Sequence, residues 1–136
     1  MSPKVVLVIE DNDDNRIIFS SILAHYGYQT LEAGDGLTGV AMAREYQPHL
    51  LLIDINLPSL SGWEVATRLR RDPSTAHIPM IAVTAHTPSE SRMMARAAGF
   101  DAFLSKPVEP RHLAEEVQRI IGPPPAATPA GEVSGG

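Results

Sequence analysis

Asp54 closes the apolar run Leu50-Leu51-Leu52-Ile53. A run of that length suits a buried strand and would set the carboxylate at the strand's C-terminal end. Glu10 and Asp11 follow a second run, Val5-Val6-Leu7-Val8-Ile9. Thr84 ends a third, Met80-Ile81-Ala82-Val83, and Lys106 follows a shorter fourth, Ala102-Phe103-Leu104. In open parallel α/β sheets, ligands bind outside the carboxyl ends of the strands. Polar groups closing four such strands imply one shared site of three carboxylates, a hydroxyl and an ammonium.

Three carboxylates held together repel, and more strongly where the dielectric is low. A hard divalent cation relieves that repulsion. Mg²⁺ takes oxygen ligands, commonly only one or two carboxylates besides water. Asp11 and Asp54 are the expected direct ligands, and Mn²⁺ could substitute. A carboxylate is also a nucleophile able to form an aspartyl phosphate. In-line attack on a phosphoryl group is driven by positioning and charge neutralisation. The cation would neutralise one side of that group and Lys106 another. The Thr84 hydroxyl would donate to a phosphoryl oxygen, and the small Ala85 would leave Asp54 accessible.

The elements that must position these groups alternate apolar runs with helix-like segments. That is the pattern of a parallel sheet with helices on both faces. The first helix is expected to start at Asp11/Asn12, to carry Ile18, Phe19, Ile22, Leu23 and Tyr26, and to stop at Gly27. The segment from Tyr28 to Ala33 is more polar and belongs at a sheet edge. The second helix follows Asp35 and is expected to bury Leu37, Val40 and Ala41. The third opens with Ser61 and Glu64, a capping box, and packs Trp63, Ala66 and Leu69. A fourth, with Met93, Met94, Ala97 and Ala98, ends at Gly99. The last follows Glu109-Pro110 and aligns Leu113, Val117, Ile120 and Ile121. Residues 123–136, PPPAATPAGEVSGG, hold one charge and no aromatic residue. Such a segment cannot offset its ordering entropy, so a disordered Pro/Ala/Gly-rich tail is expected after a domain spanning 1–122.

Composition narrows the function. With 43% apolar and 20% charged residues over 136 positions, one globular domain with a real core is expected. A net charge of −5 argues against direct nucleic-acid binding. The absence of cysteine excludes disulfides and thiolate chemistry. No apolar run is long enough for a signal peptide or a bilayer span, so the expected place is the cytoplasm, with no membrane partner. The five histidines have no metal-ligand spacing. His25, His49, His77 and His112 are expected on the surface. His86, two residues past Thr84, is expected near the mouth of the site, where it or the Asn56 side chain could steer water.

The stretches IEDNDDN, LLIDINLPSLSGW, HIPMIAVTA and FLSKP resemble the signatures of receiver domains of response regulators, the CheY-like superfamily. Agreement in order and spacing runs from Lys4 to about Ile121. The order of motifs most resembles single-domain regulators of the DivK type and receivers of hybrid histidine kinases. Both often begin with the triplet seen here as Glu10-Asp11-Asn12.

The resemblance implies a doubly wound, flavodoxin-like (βα)5 fold with a five-stranded parallel sheet in the order 2-1-3-4-5. It implies that Asp54 is the phosphoacceptor and that Thr84 and Lys106 contact the phosphoryl group. Mg²⁺ would be held by Asp11, Asp54 and the Asn56 backbone carbonyl, with Glu10 acting through water. Glu10 departs from the commoner aspartate by one methylene. Phe103 stands at the switch position with Thr84, where tyrosine is common, and cannot donate a hydrogen bond. The Lys106–Pro107 bond is expected to be cis.

The partners implied are a sensor histidine kinase or histidine phosphotransferase, and a downstream protein meeting the fourth helix, fifth strand and fifth helix. A monomer or a phosphorylation-promoted dimer is expected, and no turnover of an external substrate. Met1 lying just before the first strand favours a stand-alone regulator over a hybrid-kinase module or relay intermediate. A Mg²⁺-dependent aspartyl-phosphate phosphatase would carry an acid two residues past the nucleophile, where Asn56 stands. A flavodoxin-like electron carrier would lack the acids after the first strand.

Overall fold

The computed structural model describes residues 3–85, 93 and 96–125. Five strands alternate with helices: β1 (Val5–Ile9), α1 (Asp13–His25), β2 (Gln29–Ala33), α2 (Gly36–Tyr46), β3 (Leu50–Asp54), α3 (Gly62–Arg71), β4 (Met80–Thr84), β5 (Ala102–Ser105) and α4 (Pro110–Ile121). The strands form one parallel sheet in the order β2-β1-β3-β4-β5. Its register aligns the C-terminal ends. Ile9 lies beside Ile53, Asp54 beside Val83 and Thr84 beside Ser105. The residues that end or follow these strands therefore share one edge.

Strand residues of alternating parity build two cores, because successive side chains point to opposite faces. Leu7, Ile9, Leu51 and Ile53 pack with Val40 and Ala43 of α2 and Val65, Ala66 and Leu69 of α3. Val6, Val8, Leu50 and Leu52 pack with Phe19 and Leu23 of α1 and Leu113 and Val117 of α4. Every residue of β3 and β4 is buried, as a central parallel strand covered on both faces requires. The more polar β2 occupies an edge, where the sequence puts it.

The helices begin next to the aligned strand ends. Asn12 Oδ1 accepts the Asn15 N–H (2.9 Å), Asp35 Oδ1 the Thr38 N–H (2.8 Å) and Ser61 Oγ the Glu64 N–H (3.3 Å). These side chains satisfy amide groups that the first helical turn leaves unpaired. Between β4 and β5, Met93, Arg96 and Ala97 are helical, and Gly99 follows with φ +99°. The rest of the predicted fourth helix, including Met94, lies outside the described residues.

Two helix faces differ from the sequence reading. Leu37 is 59% exposed and Ala41 is also exposed, while α2 buries Gly36, Gly39, Val40 and Ala43. The reason is the glycine, which an apolar count overlooks. A Cβ at Gly39 would come 2.5 Å from Ile9 Cδ1, so only glycine lets α2 lie this close to β1. On α1, the buried stripe is Phe19, Ser20 and Leu23, which turns Ile18 and Tyr26 outward.

Beyond α4, Tyr28 Oη donates to Gly122 O (2.9 Å) and Lys4 Nζ donates to Ile121 O (2.6 Å). Pro124 rests on Gly27. Residues 126–136 of the expected tail lie outside the described part. No described helix is long and apolar enough to cross a membrane.

Candidate functional site

Glu10 directly follows β1, Asp54 and Thr84 end β3 and β4, and Lys106 directly follows β5. The Lys106 N–H donates to Thr84 O at 2.8 Å, which extends the β4–β5 pairing to the lysine itself. The Lys106–Pro107 bond is cis, as expected. The Lys106 ammonium lies 3.2 Å from Glu10 Oε1 and 3.2 Å from Asp54 Oδ2.

Each buried carboxylate is oriented twice. The second oxygen of Glu10 accepts the Asn12 N–H (3.1 Å), and the second oxygen of Asp54 accepts the Asn56 N–H (2.9 Å). Glu10 and Asp54 are 1% and 4% exposed, while Asp11 stands open to solvent. One carboxylate oxygen from each of Glu10, Asp11 and Asp54 lies within 4.8 Å of the other two.

The electrostatics follow from this crowding. Burial pushes the Glu10 carboxyl up to about 7. The Asn12 N–H pulls it down, Asp54 pushes it up further, and Lys106 again opposes the rise. Burial alone would lower the Lys106 ammonium, but Asp54 and Glu10 outweigh it and raise the pKa. The donor set, all hard oxygens with one side open at Asp11, suits a small divalent cation.

The loop behind Asp54 is built for close approach. Ile55 N–H donates to Val83 O (2.9 Å) and Gly62 N–H returns to Ile55 O (3.0 Å). A Cβ at Gly62 would sit 2.5 Å from Asp54 O, so α3 begins in backbone contact with the carboxylate-bearing residue. Between them, Leu60 N–H donates to Pro58 O (2.7 Å) around Ser59, whose φ is +66°. That is a tight three-residue turn with a non-glycine residue in the left-handed region.

This chain belongs to the response regulator receiver domain family, whose pattern residues 6–118 match. The polar-differentiation response regulator DivK of Brucella anthropi is 38% identical over 120 residues, which is 88% of this chain and 98% of that protein. DivK of Brucella ovis is 37% identical over 88% of this chain and 97% of its own. The chemotaxis protein CheY4 of Vibrio cholerae superposes with a TM-score of 0.83 at 27% identity, covering 88% and 99% of the two chains. The receiver domain of a Pseudomonas aeruginosa sensor histidine kinase gives 0.82 at 29% identity, covering 89% and 99%. Its structure holds a magnesium ion coordinated in the active site cleft.

In this receiver domain, the fold gathers Glu10, Asp11, Asp54, Thr84 and Lys106 at one edge, with Asn56 on the adjoining loop. Phe103 lies in the middle of β5, half-buried against the core half shared by α2 and α3. His86 lies outside the described residues. His25, His49, His77 and His112 are exposed, as expected, and His49 Nδ1 accepts the Val5 N–H (2.9 Å). Sequence reasoning missed Arg16, which clamps the first loop. Its guanidinium donates to Glu10 O (2.9 Å) and pairs with Asp13 (2.6 Å) and Glu32 (3.2 Å). Asp13, three positions earlier on the same helix, was the available signal, whereas Glu32 reaches it from β2.

Proposed function

We propose that this receiver domain is a phosphoaccepting switch of a two-component relay, with Asp54 as the acceptor. The observation that carries the reading is the Lys106 ammonium poised 3.2 Å from both buried carboxylates, beside the exposed Asp11. The Asp54 oxygen bonded to Lys106 attacks the phosphorus of a phosphohistidine. The new O–P bond forms as the N–P bond breaks, and the electron pair leaves on the imidazole nitrogen, which takes up a proton.

Asp54 Oδ1 is held by the Asn56 N–H, so Oδ2 is aimed at the incoming group. Lys106 then follows the charge onto the phosphoryl oxygens. Thr84, ending the neighbouring strand, donates its hydroxyl to another of them. Asp11 and Asp54, with the Asn56 carbonyl, would hold Mg²⁺, and Glu10 would act through its water. Bound there, the cation supplies neutralisation of the equatorial phosphoryl oxygens.

Phosphorylation would draw Thr84 inward and let Phe103 repack, and this shifts a population rather than creating a new state. The output is a changed protein-binding face around β5 and α4. The donor is a sensor histidine kinase or a histidine phosphotransferase, and the setting is cytoplasmic. The domain catalyses only its own gain and loss of phosphate. Near-complete coverage of the DivK proteins supports a stand-alone regulator. The equally full match to a histidine-kinase receiver favours a module of a hybrid kinase as the second reading.

The test is the intact mass after incubation with acetyl phosphate, with and without Mg²⁺. A Mg²⁺-dependent gain of one phosphoryl group, lost in Asp54→Asn, is the expected result. A gain that survives in Asp54→Asn would overturn the assignment of the acceptor.

A further inference from the structure

Helix α3 begins against the acceptor and ends against the segment that feeds β5. At its start, Gly62 has its N–H on Ile55 O (3.0 Å) and no room for a Cβ beside Asp54 O. The next residue, Trp63, meets the ring of Phe100 edge-on at 6.0 Å. Two turns later Arg70 donates to Gly99 O twice (3.0 and 2.7 Å) and to Asp101 Oδ2 (2.9 Å). The same guanidinium holds Ala76 O and Ile78 O (2.8 and 2.6 Å).

Residues Gly99, Phe100 and Asp101 are thus gripped from one side at two points a helix apart. Phe100 and Asp101 also line a cavity of about 350 Å³ with Arg96, Phe103 and His112 on the β5–α4 face. Close-packed elements of this kind pass a displacement on rather than absorb it.

We infer that α3 is a second transmission element, in which Trp63 positions Phe100 and so couples the state of Asp54 to the cavity on the β5–α4 face without passing through Phe103. The inference rests on the phosphoacceptor reading above. A phosphoryl group on Asp54 acts on the Ile55–Gly62 loop through the same carboxylate, whose other oxygen holds the Asn56 N–H (2.9 Å). Any shift of Gly62 carries Trp63 with it, because the two are consecutive in one helix. The Phe100 ring packs nearly perpendicular to the Trp63 ring and also lines the cavity, so it moves with the tryptophan. This gives the switch a route that does not need the hydroxyl Phe103 lacks.

The experiment follows amide resonances of Gly99, Phe100 and Asp101 in the full chain, before and after acetyl phosphate with Mg²⁺. Phosphoryl occupancy is read in parallel by intact mass. Wild type and Phe103→Leu are expected to shift these amides on phosphorylation. Trp63→Leu, which keeps an apolar side chain but loses the ring packed against Phe100, is expected to gain the phosphoryl group and lose most of the shift. Trp63→Phe should restore part of it.

Loss of the shift in Phe103→Leu at full occupancy, or its full retention in Trp63→Leu, would overturn the inference while leaving the acceptor reading intact. No mass gain in wild type would remove the acceptor reading, and this inference with it.

Discussion

The two edges of the sheet treat polar groups in opposite ways. At the C-terminal edge, two nearly fully buried carboxylates share one ammonium, with a third acid outside. At the N-terminal edge, polar side chains are spent largely on backbone, and the exposed Asp101 carboxylate is itself shared between Arg70 and the Met80 N–H. Lys4 holds Ile121 O, Tyr28 holds Gly122 O, His49 caps the Val5 N–H, and Arg70 holds three carbonyls. Backbone partners carry no net charge and do not titrate. Crowded carboxylates can exchange a proton, a cation or a phosphoryl group for one another. One edge therefore fixes the fold and the other holds unresolved charge where a ligand can use it.

The sharpest way to separate the edges is Asp54→Asn. It should abolish the phosphoryl gain outright, read by mass, and leave the urea midpoint at or above wild type, because it removes one of the repelling charges. A large drop in stability would mean that the carboxylate is structural and that the contrast is wrong.

The converse break is Arg70→Met. It strips donors from Gly99, Ala76 and Ile78 and leaves the Asp101 carboxylate with the Met80 N–H (2.9 Å). Such losses in a partly buried network should cost about 3–4 kcal/mol by denaturant unfolding. Phosphoryl uptake at low temperature should be unchanged. Loss of uptake with the fold intact would show that the N-terminal edge takes part in the chemistry.

Arg70 also marks where the sequence stops being legible. The site could be read because each of its residues ends or follows an apolar run, and parallel register does the rest. The sheet order and the edge position of β2 came from the same patterning together with the family resemblance. Arg70 stands beside Arg68 and Arg71 at the end of α3, and nothing in the sequence sets it apart from them. Its partners are carbonyls, which every residue possesses, and Gly99 lies 29 positions away. The burial of α2 was misread at Leu37 because close packing there is made by Gly39, a residue with no side chain to count.

A smaller effect should appear with pH. Glu10 holds its proton more tightly folded than unfolded, its pKa rising from 4.5 to about 7. The stability this lends is fully present below the unfolded value and is lost as pH rises through the folded one. Metal-free protein should lose on the order of 2–3 kcal/mol between about pH 4.5 and 8 at this group. Added Mg²⁺ should raise the melting temperature at pH 8 and do little at pH 5, where protons compete for the carboxylates. Glu10→Gln should flatten the metal-free profile. An unaltered profile in that variant would assign the titration to another group.

The smallest effect tests whether strain, too, belongs to the C-terminal edge. Ser59 holds φ +66° in the tight turn between Asp54 and α3, a region that costs a side chain about 1–2 kcal/mol and glycine almost nothing. Glycine also gains more freedom in the unfolded chain, which returns about 0.5–1 kcal/mol of that benefit. Ser59→Gly should therefore stabilise by only about 0.5 kcal/mol, read as a higher urea midpoint with an unchanged slope. Its phosphorylation rate decides what the strain is for. An unchanged rate makes the serine a tolerated cost of the loop. A slower rate would mean that the stiff turn sets the position of Asp54, and strain would join charge as something the two edges do not share.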